Sequence, residues 1–313
     1  MSLLTRRGFS IIELMIALVL LGLVSTAVYK VLVNNQRLYL AQTQTIDLQQ
    51  NIRAAAAILP AEFRELDAAD GDISAMGADS ISMRAMRQLA FLCATPLLGA
   101  GVGQIALTVR QTPIYGNRQT FTVNDSLLIY YEGDPSTRID DSWVLGQVKT
   151  VAAGPVCNDS GPGGPGTLPS PGFTLTLQPQ WIAGSQLNVA NAITLGAPVR
   201  GFDKLAYRVY QSADGNWYLG QRNPASGGTI QPVVGPLTGA NGVTFSYYDS
   251  VGVVTTDSSK VAQIQIVLRA RTTSPIRGAD GVQTYKVDSV VTRVALRNNP
   301  RCGPGAVPPR PCG

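Results

Sequence analysis

The residues best suited to chemistry lie at the start of the chain. Arg6 and Arg7 precede Gly8 and Phe9, and Glu13 follows four residues after Phe9. From Phe9 to about Tyr29 the residues are apolar almost without break, and Glu13 is the one charge among them. A helix of roughly twenty residues, at about 1.5 Å per residue, spans the ~30 Å hydrocarbon core of a bilayer. An acidic group inside such a helix costs about 2.5–3.5 kcal/mol on insertion scales, so Glu13 calls for a partner.

Other chemistry is sparse. The chain has no histidine, which removes Ser-His-Asp and Cys-His catalysis and the commonest metal ligand. No nucleophile elbow, nucleotide fingerprint or motif-placed carboxylate pair is present, and an enzyme is not expected. Glu132, Asp134, Asp140 and Asp141 are candidate Ca²⁺ ligands. Their spacing is not that of an EF-hand and Arg138 can neutralise them, so a solvated turn is the reading adopted and no cofactor is expected. Asp67, Asp70, Asp72 and Asp79 make a second acidic stretch. Tyr130, Tyr131, Tyr207, Tyr210, Trp217, Tyr218, Tyr247 and Tyr248 read as cross-strand packing, with a ligand-stacking face as the alternative. The net charge of +5 is scattered and includes Arg6 and Arg7, so no specific nucleic-acid partner is implied.

The order basic pair, Gly8, Phe9, Glu13, apolar run closely resembles the N-terminal signal of type IV prepilins and type II secretion pseudopilins. The resemblance covers about the first thirty residues. It implies that a prepilin peptidase cuts between Gly8 and Phe9 and methylates the new amine of Phe9. Glu13 would then lie one helical turn from a positive amine. In a bundle of parallel helices it can meet the amine of a neighbouring subunit, which offsets the burial of both charges and sets the register. The partners implied are other pilins in a helical fibre, the peptidase, the inner-membrane assembly machinery and, before assembly, membrane lipid. An uncleaved signal anchor is one alternative. A secretory signal cleaved near Ser25-Thr26-Ala27 is another, but the apolar pattern continues through Val28, Val31, Leu32 and Val33.

Positioning these residues requires a long helix and a folded head. Residues 1–8 read as a leader and 9–66 as one helix with a membrane-spanning first half. Residues 67–297 read as a β-rich head, and 298–313 as a Pro/Gly-rich tail. Arg6 and Arg7 ahead of the apolar run put the N-terminus on the cytoplasmic side of the inner membrane and the head outside. Beyond Lys30 the helix becomes amphipathic, with Leu38, Ile46, Leu48, Ile52, Ala55, Ala56 and Leu59 as a stripe for the head. Pro60 should end the helix near Leu59 or begin one further turn.

In the head, Ile81, Met83 and Ala85 alternate as a strand, with Leu89–Cys93 as its hairpin partner. Further strands are expected at Ile105–Arg110, Ser126–Tyr131, Trp143–Val151, Phe173–Leu177, Leu205–Tyr210, Trp217–Arg222, Val243–Tyr248 and Val261–Arg271. Val261–Arg271 should pair with a last strand at Tyr285–Leu296. Four cysteines permit three disulfide pairings, and an exported compartment favours disulfides. Cys302 and Cys312 enclose a short loop and are paired, which leaves Cys93 with Cys157. The expected class is α+β: a long N-terminal hydrophobic helix packed on a large antiparallel β-sheet. The segments around Val243–Asp249 and Thr292–Asn298 loosely resemble the C-terminal part of PilW-like minor pilins, and also J-type minor pseudopilins. A structural minor pilin is the leading reading. A minor pseudopilin, or an adhesin or DNA-binding head carried on a fibre or anchored to the membrane, is the alternative.

Overall fold

The computed structural model describes residues 10–98, 103–132, 136, 141–157, 170–179, 193–223, 227–278 and 281–297. The fold is α+β, a single long helix against a large antiparallel sheet. Helix α1 runs Ile11–Arg64, 54 residues or about 80 Å. Its first half is rich in Leu, Ile, Val and Ala and carries no helix breaker beyond Gly22. Residues 11–32 are exposed on every side. The second half buries Leu48, Ile52, Ala55, Leu59 and Phe63, whose three- and four-residue steps keep them on one face.

One detail of the helix differs from expectation. Leu38 and Ile46 stay 54% and 51% exposed, so the docking stripe begins only at Leu48. Pro60 lies inside the helix, which continues about one further turn beyond it to Arg64, the second of the two outcomes expected. Its missing N–H costs a bond one turn back. Leu59 and Phe63 on either side are 1% and 0% exposed, and their burial holds the last turn in place.

The strands, in chain order, are β1 (Ile73–Met76), β2 (Ser80–Phe91), β3 (Leu97–Leu98), β4 (Ile105–Arg110), β5 (Tyr115–Gly116) and β6 (Ser126–Tyr131). Then come β7 (Ser142–Cys157), β8 (Ser170–Pro179), β9 (Pro198–Gln211), β10 (Trp217–Arg222), β11 (Gln231–Leu237) and β12 (Val243–Tyr248). The last are β13 (Gln263–Arg271), β14 (Ile276–Arg277), β15 (Gln283–Thr284) and β16 (Val287–Ala295). Strands β4, β6, β10 and β12 have the bounds that alternation predicts, and β13 pairs along its length with β16. Strand β1 occupies part of the stretch read as an acidic loop, and β11, with Pro232 and Pro236, has no counterpart among the predicted strands.

The sequence reading of a hairpin between residues 81 and 93 is corrected by the structure. Ser80–Phe91 is one strand, paired with β9 throughout. Its register shifts between Met86 and Gln88, and the buried positions change from 81, 83 and 85 to 88 and 90. That β-bulge reverses the faces, and the change of phase resembles a turn in the sequence.

The bulge also divides two cores. Ile81, Met83 and Ala85 join Leu205, Tyr207, Leu219, Phe245, Ile264, Ile266, Leu268 and Val294 beneath the helix. Beyond it, the pairings β2–β9–β6–β7–β8–β4 return to β2 through the Leu92–Val109 bridge, so these strands close into a barrel-like ring. Ala90, Leu92, Leu107, Val109, Leu127, Ile129, Val148, Leu175, Leu177 and Val199 form its own buried cluster. Strand β9 is long enough to serve both cores. One continuous sheet carries both halves of the head.

Candidate functional site

The site is built on α1. Its first turn starts at Ser10, whose backbone is extended and whose carbonyl accepts from the N–H groups of Glu13 and Leu14 at 3.1 and 3.2 Å. Glu13 therefore sits where the positive end of the helix dipole favours a carboxylate. It is exposed, on a helix surface otherwise made of groups such as Ile11, Ile12 and Leu14, which are 81%, 68% and 55% exposed. The helix is long and apolar enough to cross a membrane. Gly8 and Phe9 lie outside the described residues.

The other end of the helix is fixed to the head by packing and by charge. Phe63 meets Tyr207 and Phe245 edge-on, each at 6.0 Å between ring centres. Beside it, Glu62 accepts two hydrogen bonds from Arg87 of β2, at 3.0 and 3.1 Å. Arg87 also donates to Asp203 of β9 at 3.1 Å. Arg118 joins Asp203 to Asp125, the latter at 2.9 Å. Burial alone would lower the Arg87 pKa, but the hydrogen bonds and charges of Glu62 and Asp203 overcome it and hold that pKa above its usual value. Burial pushes the phenols of Tyr207 and Tyr247 far up, so both stay neutral.

The acidic stretch after the helix forms a second clasp. Asp72, 1% exposed, accepts from the Asp67 N–H at 2.9 Å and from Arg200 at 3.1 Å. Arg84 lies 3.7 Å from its other oxygen and also donates to the Asp70 and Gly71 carbonyls. Trp143 donates its indole N–H to Asp70 at 2.8 Å, and Arg200 lies over the Trp143 ring. These carboxylates lock the helix-to-sheet turn onto the outside of the barrel. The Glu62–Arg87 and Asp72–Arg200 pairs are separated by 25 and 128 residues and follow no motif, so no signal in the sequence could have found them.

The remaining candidates are dispersed. Among the four acidic residues of the candidate Ca²⁺ loop, Glu132 accepts from Thr194 at 3.1 Å and Asp141 from Tyr130 at 2.6 Å. Asp134 and Asp140 lie outside the described residues. No group of three or more metal-ligating side chains occurs among the described residues. The aromatic residues are split. Tyr207 and Tyr247 are core residues, the Tyr210–Tyr218 and Tyr130–Trp143 pairs are cross-strand, and Tyr248 sits under Arg293. Cys93 and Cys157 are joined by a disulfide that ties the end of β7 to the segment after β2. Cys302 and Cys312 lie outside the described residues, as does the Pro/Gly-rich tail.

Residues 4–29 match the family described as the prokaryotic N-terminal methylation motif, which is type IV pilin-like. The match stops well before the head. No curated protein matches the chain, and no solved structure does.

Proposed function

We propose that this chain is a structural minor pilin of a type IV pilus, of the PilW-like kind, processed between Gly8 and Phe9 and methylated at Phe9. The observation that supports it is a coincidence of position. The methylation motif overlaps the half of α1 that is exposed all round, while the other half is clasped to the head. A helix surface this apolar needs lipid or other helices around it. Both environments belong to a pilin, the bilayer before assembly and the fibre core after it. In the fibre Glu13 pairs with the amine of a neighbouring Phe9. The head, outside the inner membrane, is displayed on the fibre.

The test is the N-terminal mass of membrane-extracted protein, together with its recovery in sheared fibres. The native chain should begin at methylated Phe9, and a bulky substitution at Gly8 should leave it full length. Glu13→Leu should be processed normally yet be lost from fibres. A native chain that still begins at Met1 would sink the proposal. Processed protein found only with a secretion apparatus, and in no surface fibre, would instead support a minor pseudopilin with the same N-terminal chemistry.

A further inference from the structure

Strand β16 is an open edge of the head. Its nine residues contain no proline or lysine, and among the described residues it pairs on one side only, with β13, without a register shift. The two ends of the main strand order are blunted instead. Strand β3 has two residues, and the outer edge of β12 donates from the Phe245 N–H to the Ala78 carbonyl at 2.8 Å. A long, regular, unprotected edge is a template for another strand, and proteins that leave an edge unpaired usually break it with such devices.

The backbone of β16 is aimed for pairing. The Leu296 N–H donates to the Ala262 carbonyl and the Thr272 N–H to the Lys286 carbonyl, each at 2.9 Å. Alternation then turns the even-numbered residues of β16 towards β13, and the N–H and C=O groups of Val287, Ser289, Val291, Arg293 and Ala295 towards the open side. The Asp288 carboxylate takes the Ser289 N–H at 2.8 Å, and beyond the strand the Arg64 carbonyl of α1 takes the Arg297 N–H at 2.7 Å. Between these two, Val291, Arg293 and Ala295 offer an uninterrupted row of donors and acceptors.

The side chains of the same residues lie on the sheet face away from the helix, since Val290 and Val294 pack into the core beneath it. With the matching positions of β12 and β13, that face carries Arg269, Arg271 and Arg293 and no acid. Arg269 and Arg293 are exposed, and Arg293 donates to the neutral Gln265 at 2.7 Å. Val287 and Val291 are 55% and 61% exposed. Ser289 stands opposite Arg269 and is small enough to leave that guanidinium within reach of the edge. Seen from the open side, the order is apolar at Val287, basic at Arg269, apolar at Val291 and basic at Arg293.

We infer that the β16 edge takes an extended acidic segment of another protein as an added antiparallel strand. Acidic side chains at alternate positions meet Arg293 and Arg269, and apolar ones between them cover Val291 and Val287. Backbone pairing supplies affinity and the arginines supply selectivity. A second copy of this chain fits poorly, because two β16 strands side by side bring together two faces that carry arginines and no acid. Single-stranded DNA brings acceptors but no backbone donors for the open C=O groups. The inference concerns the head and does not rest on the pilin reading.

The test uses the full-length chain in detergent and a labelled, capped heptapeptide. The peptide has glutamate at its first and fifth positions, valine at its third and seventh, and threonine between. Binding is read by fluorescence anisotropy and by amide exchange. The wild type should bind saturably and gain protection at Val291 and Arg293. Methylating the backbone nitrogens of the glutamates and valines, which face β16, should weaken binding about tenfold or more. Arg269→Gln with Arg293→Gln should weaken it several-fold, up to about tenfold. Val291→Pro removes an outward N–H and leaves the β13 ladder intact, so binding should fall while the urea midpoint holds. Should that variant fail to fold, the methylated peptide still decides the matter. Absence of saturable binding, or equal affinity for the methylated peptide, would overturn the inference. Three other results would also overturn it. Oligo-dT that displaces the peptide and binds the Val291→Pro chain equally well would make this a surface for polyanions. Self-association that is lost in Val291→Pro would assign the edge to a second copy. Binding that appears only after residues 298–313 are removed would assign it to the chain's own tail.

Discussion

Docking of the helix on the head can be tested by shortening side chains along α1. Phe63 is fully buried and contacts two aromatic rings, and Leu59 is 1% exposed. Removing a buried phenylalanine side chain costs about 3–5 kcal/mol, and a buried leucine about 2–5, through lost transfer energy and the cavity left behind. The two edge-on ring contacts put Phe63→Ala towards the upper end of its range. Leu38 and Ile46, on the same helix, are more than half exposed, and alanine there should change stability by no more than about 0.5 kcal/mol. A domain of ordinary stability has about 5–15 kcal/mol in all, so the two classes should separate clearly.

The assay is urea unfolding of the full chain in detergent, followed by tryptophan emission. Trp217 packs against the core beneath the helix and reports on it. With a slope of about 2 kcal/mol per molar urea, Phe63→Ala should lower the midpoint by about 2 M, and Leu38→Ala should leave it nearly unmoved. The reasoning fails if Leu38→Ala costs as much as Leu59→Ala, or if Phe63→Ala costs less than about 1 kcal/mol. In either case the helix face that begins at Leu48 would not be what holds the head.

Two further outcomes follow from the clasps. The Cys93–Cys157 bond spans 64 residues, and loop closure of that length constrains the unfolded chain by about 4 kcal/mol. Reduction should therefore loosen amide-exchange protection in β4, β7 and β8 before it does so in β12 and β13, and identical protection before and after reduction would refute this. Asp72→Asn should cost about 3–5 kcal/mol, because it leaves the buried Arg200 without its carboxylate, and Arg200→Met should cost less, because Arg84 stays 3.7 Å from Asp72. The double variant should cost clearly less than their sum, measured by the same urea titration, and strict additivity would rule out the pairing as the source.

The sequence announced the fold through periodicity. The apolar run and the three- and four-residue steps from Leu48 to Leu59 gave the helix, and alternation gave most strands. Pro60 remains helical because burial of its neighbours outweighs a local rule. What the sequence hid has physical causes. Strand β11 contains Pro232 and Pro236, which strand patterns exclude, yet it pairs with β10 along one edge and with β13 at Leu237. At the candidate site, the motif from Arg6 to Glu13 was legible because it is local. The charge clasps join residues far apart in sequence, and only the folded chain brings them together.

The most informative misreading is the hairpin between residues 81 and 93. A change of phase in an alternating strand has two physical solutions, a reversal of direction or a bulge. Sequence alone favoured the reversal, because two short strands with opposite phase fit it as well. The bulge at Met86–Gln88 keeps the strand running and turns its apolar face from the helix to the barrel. One strand thus carries the helix-bearing core and the barrel core on a single backbone. Arg87, at the bulge, reaches Glu62 of the helix and Asp203 of β9, so the position where the phase changes is also where the helix is tied down. A head built this way moves with its helix: force drawn through α1 reaches the barrel through a continuous strand and a charge clasp rather than through a flexible linker.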